Sequence, residues 1–184
     1  MIRFCLLVML TFLLASCASV PERNGIQFDL SGREHLYELS EWSFQGRISV
    51  SDENNAVSGS IEWLHRSKQE NIKFSGPFGQ GRAQIVLFEN YVEINSAGER
   101  VSYFGDVDKV ISSELGVALP VSSLKYWVLG LTSPGHSYKE FVGGFVQDGW
   151  RVTYSSLQAQ NMPRKIRVEK EEAKLKLIIN QWGI

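Results

Sequence analysis

Cys17 is the residue whose surroundings say most about chemistry. It closes the string Leu14-Ala15-Ser16-Cys17, behind a single early cation at Arg3 and an apolar run from Phe4 to Ala15. A short positive start, a hydrophobic run and small residues before a cut site make a signal peptide. That run of about a dozen residues is too short for the roughly 20 that a spanning helix needs. The string looks like a bacterial lipobox, in which cleavage leaves Cys17 as the first residue and its thiol and freed amine become acylated. Cleavage by the ordinary signal peptidase is the alternative, with Cys17 discarded or left as a stray thiol. Ala18 follows the cysteine, where an inner-membrane retention signal of this class usually places Asp. The outer membrane is therefore the expected destination.

The other groups that could do chemistry are scattered. His35, His65 and His136 form no His-x-x-x-His pair, and a mature chain without a free cysteine has no soft ligands for zinc, so no metal site is expected. There is no Gly-x-Ser-x-Gly elbow. The histidines read as surface or strand-edge residues, and enzymatic activity and cofactors are not indicated. Gly76 to Gly81 holds glycines but no Lys or Ser/Thr in phosphate-loop order. The cations from Arg164 to Lys176 are interleaved with Glu169, Glu171 and Glu172, the pattern of a solvated face. A formal net charge of -1 and an isoelectric point near 6.3 give no basic surface for nucleic acid. With Cys5 inside the signal and Cys17 lipidated, no disulfide is expected, although an exported compartment would permit one.

One aromatic stands out. In Gly76-Pro77-Phe78-Gly79, Gly and Pro explain a turn between strands, but nothing local explains the ring. It either folds back as a local plug or stays exposed, and an exposed ring beside a lipid anchor could enter a bilayer or a greasy ligand.

Residues 1–16 thus read as signal peptide and 17–29 as a tether, the Ser, Pro, Glu, Asn and Gly of Ala18 to Asp29 showing no periodicity. Residues 30–184 are long enough for one domain with a sizeable core. Ser31 to Glu41, with Leu36, Tyr37 and Leu39, predicts an amphipathic helix capped by Ser31, with Glu34 three residues on. Strands follow at Trp42 to Ser51 and Val57 to Trp63, joined by the polar turn Asp52-Glu53-Asn54-Asn55. Others are predicted at Asn71 to Ser75, Arg82 to Phe88, Tyr91 to Asn95 and Glu99 to Phe104. Short strands joined by tight turns make an antiparallel meander. Asp106 caps a helix that carries Val107, Val110, Ile111 and Leu115 and ends at Gly116. Pro120 to Leu131 predicts another, stopping near Gly130. Strands near Tyr138 to Val146, Trp150 to Ser155, Lys165 to Glu169 and Leu175 to Ile179 complete the chain, the last with alternating apolar residues and lysines.

The order of these features resembles the LolB family of outer-membrane lipoproteins. The lipobox, the short helix, Trp42 with Gly46-Arg47, Trp63 and the Gly-Pro-Phe-Gly turn all fall in place. The most specific part is Pro120-Val121-Ser122-Ser123-Leu124-Lys125-Tyr126-Trp127-Val128-Leu129-Gly130-Leu131, which is similar to the family's Pro-x-x-x-Leu-x-x-Trp-x-x-Gly-Leu pattern. The resemblance covers essentially the whole mature chain. It implies a mainly β fold: an incomplete, curved antiparallel β-barrel with a helical lid over an apolar cavity, LolA/LolB-like. It also implies a function, in which residues 30–184 accept triacylated lipoproteins from the periplasmic carrier LolA and insert them into the inner leaflet of the outer membrane without an energy source. The partners implied are a LolA-like carrier, acylated lipoprotein cargo and outer-membrane phospholipid, and the chain is expected to be monomeric. The family's protruding hydrophobic residue, commonly leucine, sits where this chain has Phe78, flanked by Pro77 and Gly79.

In such a fold the concave face would carry Ile48, Val50, Ile61, Trp63, Ile72, Phe74, Ile85 and Leu87, roofed by Trp127 and Leu131. The same residues would equally serve as the sealed core of an ordinary barrel, since periodicity does not distinguish a filled interior from a ligand cavity. The competing function is a non-transporting outer-membrane lipoprotein acting as a scaffold or assembly factor.

Overall fold

Period-two alternation along β1 (Glu41–Ser51) turns Trp42, Phe44, Ile48 and Val50 inward and leaves Gln45 and Arg47 in water. The computed structural model describes residues 28–77 and 81–184. The same logic runs through β2 (Ala56–Arg66), β3 (Gln69–Ser75), β4 (Ala83–Leu87), β5 (Tyr91–Ser96) and β6 (Glu99–Phe104), an antiparallel meander. Two helices follow, α1 (Val107–Leu115) and α2 (Val121–Trp127). The chain returns to strand as β7 (Tyr138–Phe141), β8 (Gly144–Gln147), β9 (Trp150–Leu157), β10 (Pro163–Lys170) and β11 (Ala173–Gly183).

All of these form one 11-stranded sheet in the order β6-β5-β4-β3-β2-β1-β11-β10-β9-β8-β7. The first strand pairs with the last, Ile48 opposite Leu177 and Val50 opposite Leu175, with a bulge between Gln45 and Gly46. Gly46 is required there, because a Cβ would meet the Ile178 carbonyl. Among the described residues, β6 and β7 each have one unpaired edge. The sheet is a curved, unclosed barrel, and the helices lie between its edges over the concave face, as the family resemblance implies.

The predicted helix over Ser31 to Glu41 is not formed. A single 3-10 stretch, Glu34–Glu38, stands in its place, with Leu39 already extended on the way into β1. Gly32 is left-handed at φ 77°, and the backbone N–H of Ser31 donates to Asp29 Oδ1, so the turn does not begin at Ser31. The Arg33 guanidinium reaches across the fold instead, donating to the carbonyls of Leu129 and Asn161 at 2.6 and 2.9 Å. The run predicted as one strand from Tyr138 to Val146 is two, β7 and β8, because the chain reverses at Val142-Gly143, with Gly143 at φ 91°.

The helices are tied together at their starts. Asp106 caps α1 by accepting the N–H groups of Asp108 and Lys109. Pro120 offers α2 no side-chain cap, so Asp108 supplies one, its Oδ1 accepting from both the backbone N–H and the hydroxyl of Ser122 at 2.9 and 3.0 Å. The far end of α2 is fixed to the sheet. Gln147, 1 % exposed, accepts the Trp127 indole N–H and the Ser133 N–H and donates to the carbonyls of Ser133 and His136. The Tyr154 hydroxyl donates to the Trp127 carbonyl at 2.7 Å, and burial pushes its phenol well above the ordinary value. It therefore stays a donor.

Gln147 satisfies four groups with one side chain, so replacing it with an apolar isostere orphans all of them. Gln147→Leu is expected to lower unfolding stability by about 3 kcal/mol, read from the shift of the urea midpoint at unchanged slope.

Candidate functional site

The interior divides into unlike halves. Across β8 to β11 the inward side chains Phe145, Val152, Tyr154, Ile166, Val168, Leu175, Leu177 and Ile179 are all buried to 3 % or less. Trp127 sits in this half and fills it, being 0 % exposed with its ring 6.5 Å from that of Phe145 and 6.4 Å from that of Trp150; Leu131 is buried at 3 %. Phe28 stacks on Tyr154 with ring centroids 3.8 Å apart. Arg33 lies over Phe28, and burial lowers its pKa.

Across β1 to β4 the interior is not filled. A cavity of about 80 Å³ lies between the sheet and the helices, and every residue that lines it is apolar. Ile48, Val50, Ile61, Trp63, Ile72, Phe74 and Ile85 form its floor, together with Val57 and Ala83. Gly59 leaves room for the Phe74 ring, which a Cβ there would meet at 2.8 Å.

The roof is made differently from the expectation. Ile111 of α1, Val117 and Leu119 of the connection, and Val121 and Leu124 of α2 cover the cavity. Trp127 and Leu131 do not line it: α2 ends at Trp127, whose ring packs against Phe145 and Trp150, and Leu131 lies beyond the helix. Leu87 is buried but lines a neighbouring recess. Sequence patterning had marked Ile111 and Leu124 as apolar stripe residues without saying which half of the sheet they cover; that depends on where the helices cross it.

The predicted turn residues are reached only in part. Pro77 is exposed just beyond β3, whereas Phe78, Gly79 and Cys17 lie outside the described residues. Of the histidines, His35 and His136 are exposed as expected, His136 facing Asp148 at 2.9 Å. His65 differs. It faces inward, half-buried, and its Nδ1 lies 2.7 Å from Oε1 of Glu70, a carboxylate only 5 % exposed. The signal was available: His65 continues the inward series Ile61, Trp63, and the short β2–β3 turn sets it opposite Glu70. Among the described residues no group of three or more His, Cys, Asp or Glu could hold a metal, and no helix is long and apolar enough to cross a membrane.

These features define a class: unclosed antiparallel barrels whose apolar interior is roofed by helices. The family model for outer membrane lipoprotein LolB matches residues 40–182, and the chain belongs to that family. Among its relatives is a protein from Thiobacillus denitrificans, 30 % identical over 98 % of this chain and 97 % of its own length. Another from Pseudomonas fluorescens is 29 % identical over 92 % of this chain and 90 % of its own. Both are named outer-membrane lipoprotein LolB. A solved DUF1329 family structure from Desulfovibrio piger overlaps at 8 % identity and a TM-score of 0.45, too weakly to bear on the site.

Leu124 is 1 % exposed in the roof. Leu124→Ala is expected to cost about 3 kcal/mol of stability while enlarging the cavity, so titration with the apolar dye N-phenyl-1-naphthylamine should show tighter binding than the parent chain as the urea midpoint falls.

Proposed function

We propose that this chain is an outer-membrane lipoprotein, anchored through acylated Cys17, that accepts triacylated lipoproteins from a LolA-like periplasmic carrier and inserts them into the inner leaflet of the outer membrane. The observation that carries the reading is the wholly apolar cavity between β1–β4 and a roof that is polar-bonded to the sheet chiefly at one end. Family membership supports it.

The physical case is one of differential burial. Each acyl methylene gains on the order of 0.8 kcal/mol on leaving water, so a chain of about 15 methylenes gains roughly 12 kcal/mol. A triacylated protein does not cross water unaided, and every host along its route must offer apolar surface. If this interior binds the chains more tightly than the donor by about 1.4 kcal/mol, transfer is favoured tenfold. The bilayer must then bind them better still, and no nucleotide is needed.

At about 80 Å³ the cavity holds only two or three water volumes. One acyl chain needs several times that, so uptake requires the roof to lift. The attachments support such a motion. Gln147, Tyr154 and Arg33 hold the C-terminal end of α2. Over the cavity, α1 and the start of α2 rest on apolar contacts, with a bond from Asn55 Nδ2 to the Gly116 carbonyl at 3.0 Å and the Tyr103 phenol of β6 beside Glu114 of α1.

The small volume is also what favours the second reading, a scaffold or assembly factor with a permanently filled interior. Mixing the purified chain with a lipoprotein-loaded carrier separates the two: stoichiometric transfer of cargo is expected here, and retention of all cargo by the carrier would establish the scaffold. Phe78 is assigned to the later step, contact with the membrane. Phe78→Glu is expected to leave acceptance from the carrier intact while incorporation of cargo into liposomes drops by at least tenfold.

A further inference from the structure

One end of the trough is not apolar. Strand register sorts the concave face into rows. Val50 lies opposite Val57 and Ile48 opposite Gly59. The next rows are Gly46-Ile61-Phe74-Ala83 and Phe44-Trp63-Ile72-Ile85, and the last is Trp42-His65-Glu70-Leu87. Only this last row carries polar side chains. Both Glu70 oxygens are engaged, Oε1 with His65 Nδ1 at 2.7 Å and Oε2 accepting from the Trp63 indole N–H at 2.8 Å. A carboxylate only accepts, so Nδ1 carries the proton. Nε2 is left without a hydrogen-bond partner among the described residues, on a ring stacked against Trp42 with centroids 5.2 Å apart.

This row opens on a recess of about 460 Å³ between the end of the sheet, the Leu36 to Leu39 segment and α2, with Lys68, Lys125 and Tyr126 on its walls. The recess shares Val121 with the apolar cavity. A chamber walled by both polar and apolar side chains thus adjoins a wholly apolar one across Val121, which matches the distribution of an acylated cysteine: amide and ester groups at one end, hydrocarbon at the other.

We propose that the recess is the subsite for the amide and ester linkage region of an acylated amino terminus, and that bound chains run from the His65–Glu70 row toward the connection between Ser75 and Ala83. The inference rests on the acceptor reading above and adds the polarity of the bound cargo. A carbonyl or amide buried without a partner costs about 1–3 kcal/mol, and the other rows of this half offer none. The trough from Trp42 to Val50 spans eight residues of strand, about 27 Å, longer than one extended chain of the usual length. In this orientation the chain ends lie at the end of the sheet where the connection bearing Phe78 leaves β3, so cargo would leave tail first.

The test uses the full acylated chain on liposomes and a tripalmitoylated cysteinyl peptide carrying a photoreactive diazirine, placed either on the residue after cysteine or at the end of an acyl chain. After illumination and peptide mapping, the first probe is expected to label His65, Lys68 or Tyr126, and the second Val50, Val57 or Ala83. Reversed or indifferent labelling inside the barrel overturns the orientation and leaves uptake standing; no labelling inside the barrel overturns both. His65→Gln keeps an N–H for Glu70 but removes Nε2, and should weaken binding of the peptide about tenfold with N-phenyl-1-naphthylamine unaffected. Equal loss of both ligands would make the row merely structural and overturn the subsite.

Discussion

The pairing of β1 with β11 is the constraint on which the remaining structure depends. It joins the first strand of the chain to the last, over nine residue pairs from Ser43–Gly183 to Ser51–Lys174, and turns two meanders into a single sheet. Each meander alone would present an apolar face to water with only part of a wall around it. Joined and curved, they enclose a trough, and the helices between β6 and β7 then have a surface to cover. The bulge at Gln45/Gly46 and the close approach that only glycine permits at 46 are local consequences of the same pairing.

Within that trough, polar bonds and apolar contacts are unevenly distributed. The half over β8 to β11 is filled by large side chains and stitched by Gln147, Tyr154 and Arg33 to the end of α2. The half over β1 to β4 is roofed by aliphatic side chains that present no polar atom to the cavity. Hydrophobic contact is non-directional, so the same surfaces can accept hydrocarbon in exchange for one another at little net cost. A hydrogen-bonded hub is directional and must be broken to move. In the proposed uptake, the hubs at one end of the roof would serve as its hinge.

Much of this was legible along the chain. Alternation located the inward residues of β1 to β4, and the Asp106 cap and Gly116 stop bounded α1. The failures have particular causes. The Ser31 helix was read from spacing, but Arg33 is recruited by carbonyls at Leu129 and Asn161, partners distant in sequence. Trp127 and Leu131 belong to the expected roof, but α2 ends at Trp127, whose ring packs on Phe145 and Trp150, and Leu124 is the residue of that run that lines the cavity. His65 was read as a surface or strand-edge residue because a lone histidine carries little information, although its parity with Trp63 and the tight turn to Glu70 already faced it inward.

The sequence by itself determined the antiparallel, mainly β character of the fold and the inward parity of its strands, because turn chemistry and period-two alternation are local properties of neighbouring residues. Tertiary structure alone decided which apolar residues fill the interior and which leave room. It also decided that one row of the trough is polar. Both outcomes follow from strand order and from where the helices cross the sheet. These are set by contacts between residues as far apart as Ser43 and Gly183, and no local pattern encodes such a contact.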